Sequence, residues 1–322
     1  MSFESTAEAV PSRMIRPPGP LLVAAFSPFG VLGALTRYVR GVRYPVDLHL
    51  WSDVDANLHR ARLHCGLARV LDVHFDRRRW RFGGDPARRD DFDPAWTRWM
   101  SDAELRERLP ALLRYLDLVL PAAADGRGAV GAGAFAVRGR AVIQQEFSAI
   151  FNSAEERRRV MDEIGADLVA ALTPNPVPGP VHAFTAVSDA LFLDASGALV
   201  VAEIEGRRAP EVRFAAAQAI VYLRLLRRWL GSEPSALSLV AATITARRSL
   251  GLGSPLLDRV ALSGLTAAVV SIQDGASPRL LAQFSAVRQA LERSGVREAQ
   301  DLRVELVGLD GTTRPIHREL AV

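Results

Sequence analysis

Apolar positions along this chain recur at two periods, and the places where the period changes mark its elements. Val46–Trp51 and Val70–Phe75 alternate as half-buried strands do, and Arg79–Phe82 returns from the second as a hairpin. Ser101-Asp102-Ala103-Glu104 is a capping box. It opens a helix running to about Leu120, interrupted or kinked at Pro110, with Leu105, Leu109, Leu112, Leu113 and Leu116 on its buried face. Gly126–Gly133 reads as a flexible connector. In Ala141–Phe151 the positions Ile143, Phe147, Ile150 and Phe151 keep helical spacing, with a strand ending at Asn152 as the alternative. Ser153–Glu156 caps a helix whose face is Val160, Ile164, Leu168 and Leu172, and Pro174–Pro180 then breaks the chain. Phe214–Leu226 is strongly helical; beyond it the pattern predicts strands at Leu237–Thr245, Ala267–Ile272 and Leu302–Val307 and a helix at Pro278–Ser294. The expected organisation is a tail over residues 1–20, a mixed α/β domain of unknown role over 21–125, and a second domain over 126–322.

The most informative stretch is Asp189–Glu205, two apolar runs flanking Asp194-Ala195-Ser196-Gly197, a segment ending in the glycine that tight hairpins favour. A loop centred on Ser196 pairs residue 189 with 203, 191 with 201 and 193 with 199. Side chains alternate along a strand, so Asp189, Leu191 and Leu193 share a face with Leu199, Val201, Glu203 and Glu205. Three carboxylates therefore crowd one end of an apolar face, and like charges directly opposite each other destabilise a sheet. A divalent cation is the usual reason to tolerate such a cluster. The competing reading leaves the hairpin end in water, with the acids merely solvating it.

In the following helix Gln218 and Tyr222 are four residues apart and stack on one face. With this helix the segment resembles the PD-(D/E)XK nuclease superfamily, and the Gln-x-x-x-Tyr spacing is similar to that of its recombination-exonuclease branch. The resemblance covers about residues 140–245. It implies a restriction-endonuclease-like mixed sheet flanked by helices for residues 126–322, in an α/β (α+β) protein. It implies that Asp189 and Glu203 bind Mg²⁺ or Mn²⁺, that Gln218 and Tyr222 contact the nucleic-acid strand, and that Glu146, as a preceding acid, joins the metal site. One position departs from the motif: Glu205 stands where the family carries lysine. No neighbouring element can supply that lysine, because all 40 basic residues are arginine. Arginine is no proton acceptor, its pKa lying above ~12. Glu205 is expected to orient the water or hold a second ion, and Arg207 or Arg208 to clamp a phosphate.

Composition narrows the chemistry further. Without lysine, a Walker-type phosphate loop and a Schiff-base mechanism are both excluded. Cys65 is the only cysteine, so no internal disulfide or four-thiolate iron–sulfur cluster forms, and a reducing cytoplasm suits the chain. His59, His64 and His74 do not show zinc spacing. Leu21–Leu35 is interrupted by Pro28 and Gly30, so neither a signal peptide nor a membrane span is expected. A net charge of +4 is mild for a nucleic-acid binder, but arginines cluster at Arg77–Arg79 with Arg81, Arg88-Arg89, Arg157–Arg159 and Arg224 to Arg228. The expectation is a metal-dependent nuclease, with DNA as substrate and targeting supplied by residues 1–125 or a protein partner. The competing readings are an inactive subunit that keeps the fold and binds nucleic acid or protein, and a structural α/β protein with a solvated hairpin.

Overall fold

The structure, a computed structural model, describes residues 16–52, 58–85, 90–125, 127–149, 151, 153–175, 177, 179 and 184–316. The expected tail over 1–20 falls largely outside them. Two short helices, α1 (Pro20–Phe26) and α2 (Gly33–Gly41), precede four strands, β1 (Val46–Ser52), β2 (Leu58–Cys65), β3 (Ala68–Asp76) and β4 (Arg79–Gly84). These form an antiparallel sheet in sequential order. Its apolar face (Leu48, Leu50, Ala61, Leu63, Leu71, Val73, Trp80 and Phe82) packs in one core with α1, α2 and α3 (Asp102–Asp125). Strand β2 was not anticipated, because Arg60-Ala61-Arg62-Leu63-His64 looks too polar for a central strand. Its polar side chains are themselves half or fully buried. The capping box forms as expected, Ser101 N–H donating to Glu104 Oε2 at 2.7 Å. Helix α3 nonetheless continues through Pro110 and Pro121 to Asp125, five residues beyond the expected end.

The glycine-rich segment is not a connector. Residues 127–136 form helix α4 (Arg127–Ala136), wedged between the first sheet and the second. Its glycines are close-approach positions: a Cβ on Gly128 would lie 2.8 Å from the Cys65 carbonyl oxygen, and one on Gly133 would lie 2.2 Å from that of Gly308. Low helix propensity is here outweighed by packing that no larger residue permits.

The second sheet contains β5 (Arg140–Phe147), then, after α5 (Ala154–Leu172), β6 (Ser188–Asp194) and β7 (Leu199–Glu205). Helices α6 (Ala215–Ser232), α7 (Ala236–Ser249) and α8 (Leu256–Arg259) lead to β8 (Thr266–Gln273). Helices α9 (Pro278–Arg293) and α10 (Arg297–Asp301) precede β9 (Arg303–Val307) and β10 (Thr313–Pro315). The order is β10-β9-β8-β7-β6-β5, with β7, β8 and β9 parallel and the other pairs antiparallel. The protein is thus mixed α/β, with two sheets flanked by helices. Helices α5, α6 and α9 cover one face of the second sheet in the largest core, while α4 lies against the other.

Two further expectations are corrected. Ala141–Phe151 does not form a helix, because residues 140–147 pair with β6, and the register slip between Val142 and Gln144 disguises the strand period. Leu237–Thr245 is helical: Val240, Ile244 and Arg247 are buried at i, i+4 and i+7, and Thr243 and Thr245 hydroxyls bond the carbonyls four residues earlier at 3.0 and 2.9 Å. Among the described residues no helix is long and apolar enough to cross a membrane.

Candidate functional site

The β6–β7 hairpin sets the geometry. Gly197 takes φ +80°, and Asp194 Oδ1 accepts from Ser196 N–H at 2.9 Å and Ala198 N–H at 3.1 Å, which closes the loop. Leu193 then opposes Leu199 and Leu191 opposes Val201, the register the loop sequence predicts. The ladder ends at Ala190–Ala202, and Asp189 Oδ2 accepts from Ile204 N–H at 2.7 Å where the next rung would be. On the far side of β7, Glu203 and Glu205 oppose Val270 and Ile272, both fully buried. The acids therefore sit at the end of an apolar row with α6 packed on β7 and β8.

Burial and mutual repulsion dominate their electrostatics. Glu203 is pushed well above the usual carboxylate range, first by desolvation and then by Asp189 and Glu205. Glu205 is only 7% exposed and is pushed up to about 8 by desolvation, Asp189 and Glu211. The two glutamates are hydrogen-bonded to each other and titrate as a pair that shares a proton. Tyr222 donates to Glu203, and its own hydroxyl is held neutral by burial and the Glu203 charge. Neither glutamate has an ion-pair partner among the described residues. No group of three or more His, Cys, Asp or Glu side chains is already disposed to hold a metal ion among those residues. The donor set of hard oxygens fits a divalent cation in kind, and binding would require the carboxylates to close in as the shared proton leaves.

The partners of the α6 pair lie in the chain entering β6. Gln218 Nε2 donates to Thr185 O at 2.9 Å while its Oε1 accepts from Thr185 N–H at 3.0 Å. The hydroxyls of Thr185 and Tyr222 are 2.9 Å apart. Gln218 and Tyr222 thus clamp Thr185, a residue the sequence pattern did not mark.

Glu146 of β5 sits between the pairs Gln145–Ala190 and Phe147–Ser188, level with Asp189 of β6. Its backbone is in the left-handed region, φ +48°, and its Oε2 meets the Arg62 guanidinium of the first sheet. Arg207 is exposed on the α4 side, where it lines a cleft of about 580 Å³ with Asp125, Gln273, Asp274 and Val307. That cleft does not include the acids. Arg208 is exposed in the turn after β7. Sequence reasoning also missed a buried polar junction between the sheets. Arg247 of α7 binds both Asp47 carboxylate oxygens at 2.8 and 2.9 Å, the Leu48 carbonyl oxygen at 2.9 Å and His49 Nδ1 at 3.0 Å. The chain matches no family profile, no curated protein and no solved structure.

Proposed function

We propose that the protein is a divalent-metal-dependent nuclease, with nucleic acid, DNA foremost, as its substrate. The observation that carries this is the convergence of Asp189, Glu203 and Glu205 on one apolar face, with two raised carboxyl groups and, among the described residues, no basic side chain paired with either glutamate. Such a cluster is stabilised most directly by a hard cation. Bound there, Mg²⁺ or Mn²⁺ would polarise a phosphate and lower the pKa of an attacking water. In this reading Asp189 and Glu203 hold the ion. Glu205, beside them on the same strand face, would accept the proton of the attacking water. It does so at the place where the resembling family uses lysine. Tyr222 fixes the Glu203 carboxyl, and Gln218 fixes the Thr185 segment beside it, where an incoming strand would pass. Glu146 is assigned to the contact with Arg62 and takes no part as a ligand.

The test is cleavage of mixed single- and double-stranded DNA and RNA in Mn²⁺, with and without chelator. Metal-dependent cleavage should fall on the order of 100-fold or more in Asp189→Asn and Glu203→Gln, the usual cost of losing an electrostatic stabiliser. Activity that survives both substitutions or the chelator overturns the assignment. A second reading is motivated by Glu205 in the lysine position: an inactive copy that binds without cutting. It predicts nucleic-acid binding with no cleavage in any metal, and gain of cleavage in Glu205→Lys.

A further inference from the structure

A single row of side chains crosses the polar face of the first sheet. Trp51 opposes Arg60, Arg60 opposes His74, and His74 opposes Arg81. The bridge between Trp80 and Met100 then sets Trp99 opposite Arg81. The row therefore reads Trp-Arg-His-Arg-Trp across five chain segments and contains no carboxylate. Carboxylates in the adjoining rows are already engaged. Asp72 is 2.5 Å from Arg62 and 3.5 Å from Arg69, and Asp76 is 3.3 Å from Arg79. Arg81 has no carboxylate partner among the described residues. Its guanidinium carbon stands 5.0 Å from the Trp99 ring centroid, and that of Arg79 stands 5.5 Å away.

The Trp51 end is buried, whereas the other end opens to solvent, Arg79 being 55% exposed and Arg81 and Trp99 half-buried. The exposed Arg77 extends the positive edge at the tip of the β3–β4 hairpin. Burial, together with the adjacent Arg60 and Arg81, pushes His74 down to about 4, so the ring is neutral and the row's charge is that of its arginines. Arg62, one row along, has its guanidinium carbon 5.6 Å from the Trp51 ring centroid and also meets Glu146, so the buried end of the face is filled by its own partners.

We propose that the open end of this face is a short track for single-stranded nucleic acid, with phosphates on Arg79 and Arg81 and a base on Trp99. It deepens the nuclease reading by naming an unpaired strand as the substrate, but the binding itself does not rest on that reading. Arginine supplies the charge-assisted contacts a phosphodiester needs. A half-buried indole and the guanidinium groups beside it offer π surfaces to an unpaired base, which favours a single strand over a duplex.

Fluorescence anisotropy of a labelled 15-nucleotide single strand and its duplex, with the full chain in EDTA at several salt concentrations, measures binding apart from cleavage. Single-strand binding should be tighter than duplex binding. Arg79→Gln/Arg81→Gln should weaken it about tenfold or more and flatten the salt dependence by about 1.4 in log–log slope, the value for two lost phosphate contacts on a single strand. Trp99→Leu should weaken binding about tenfold with the slope unchanged, and Arg81→Lys should keep the slope. A cooperative melt at the parent temperature certifies each variant, and any one folded variant suffices. Unchanged affinity in the folded variants, duplex binding as tight as single-strand binding, or displacement by polyglutamate at equal charge would overturn the track. Binding as described with no cleavage in any metal would sink the nuclease reading alone; metal-dependent cleavage with unaltered binding in the variants would sink the track alone.

Discussion

At the scale of single residues, Glu205 is where sequence and structure bear on each other most directly. The period-2 pattern places it with Asp189 and Glu203, but only the cover of α6 and the neighbouring charges raise its carboxyl to about 8. A carboxyl whose pKa is higher folded than unfolded binds its proton more tightly in the native state. Its contribution to stability is fully present below the unfolded value of about 4.5 and is lost as pH rises through about 8. In chelator, the melting temperature of the parent should therefore fall between about pH 6.5, above which the buried histidines no longer change charge, and pH 8.5, and Glu205→Gln should remove much of that fall. Mn²⁺ should restore it, with a larger gain at pH 8 than at pH 5.5, because the metal displaces the shared proton. Differential scanning fluorimetry across pH checks this; a metal-induced shift that is the same at both pH values contradicts it.

At the scale of elements, the segments that defied their local pattern did so for tertiary reasons. Helix α4 carries Gly128, Gly131 and Gly133, each a poor helix former, because the helix runs against backbone on both sides. Gly133→Ala gains about 1 kcal/mol of helix propensity but drives a methyl into the Gly308 carbonyl, and overpacking of this kind costs about 1–3 kcal/mol. We expect a net loss, seen as a lower urea midpoint at unchanged m-value. A Gly133→Ala protein as stable as the parent would show that α4 does not pack as described. The α6 pair shows the opposite case: Gln218 and Tyr222 were legible as one helix face. What they grip, the backbone and hydroxyl of Thr185, lies 33 and 37 residues away in sequence and could not be read.

At the scale of the whole molecule, the two sheets are joined by buried charge as well as by α4. Arg62 links the first sheet to Glu146 of the second, Arg247 links α7 to Asp47 and His49, and Leu250 and Leu252 complete the first sheet's core. His64 lies in this junction, 2% exposed, and is pushed down to about 3 mainly by burial. His49 is lowered in the same sense by burial, Arg247 and Arg62. A histidine whose folded pKa lies below its unfolded value contributes stability that is intact above about pH 6.5 and is lost as pH falls towards the folded value. The parent should thus lose on the order of a few kcal/mol between about pH 6.5 and pH 4 by urea denaturation. His64→Gln should lose less over that range. Equal acid sensitivity in both would remove the junction from the account. The two histidines outweigh Glu205 below about pH 6.5 and Glu205 prevails above it, so the metal-free protein should be most stable near pH 6.5.

Features that depend on local period and turn chemistry were legible from the residues alone. The β6–β7 register, the shared face of Asp189, Glu203 and Glu205, the capping box at Ser101, the Gln218–Tyr222 face and strands β1, β3, β8 and β9 all follow from alternation or helical spacing within a few residues. Tertiary structure decided everything set by what lies on the other side. A strand such as β2 reads as too polar because its charged face is itself covered, and a glycine-rich helix reads as a loop because its neighbours are backbone from distant segments. Glu146 turns to Arg62 through a positive φ that no residue pattern encodes. The Trp51–Trp99 row exists only once five segments are laid side by side. Periodicity reports which way a side chain points from its own backbone; burial, titration and partnership depend on which atoms it then meets.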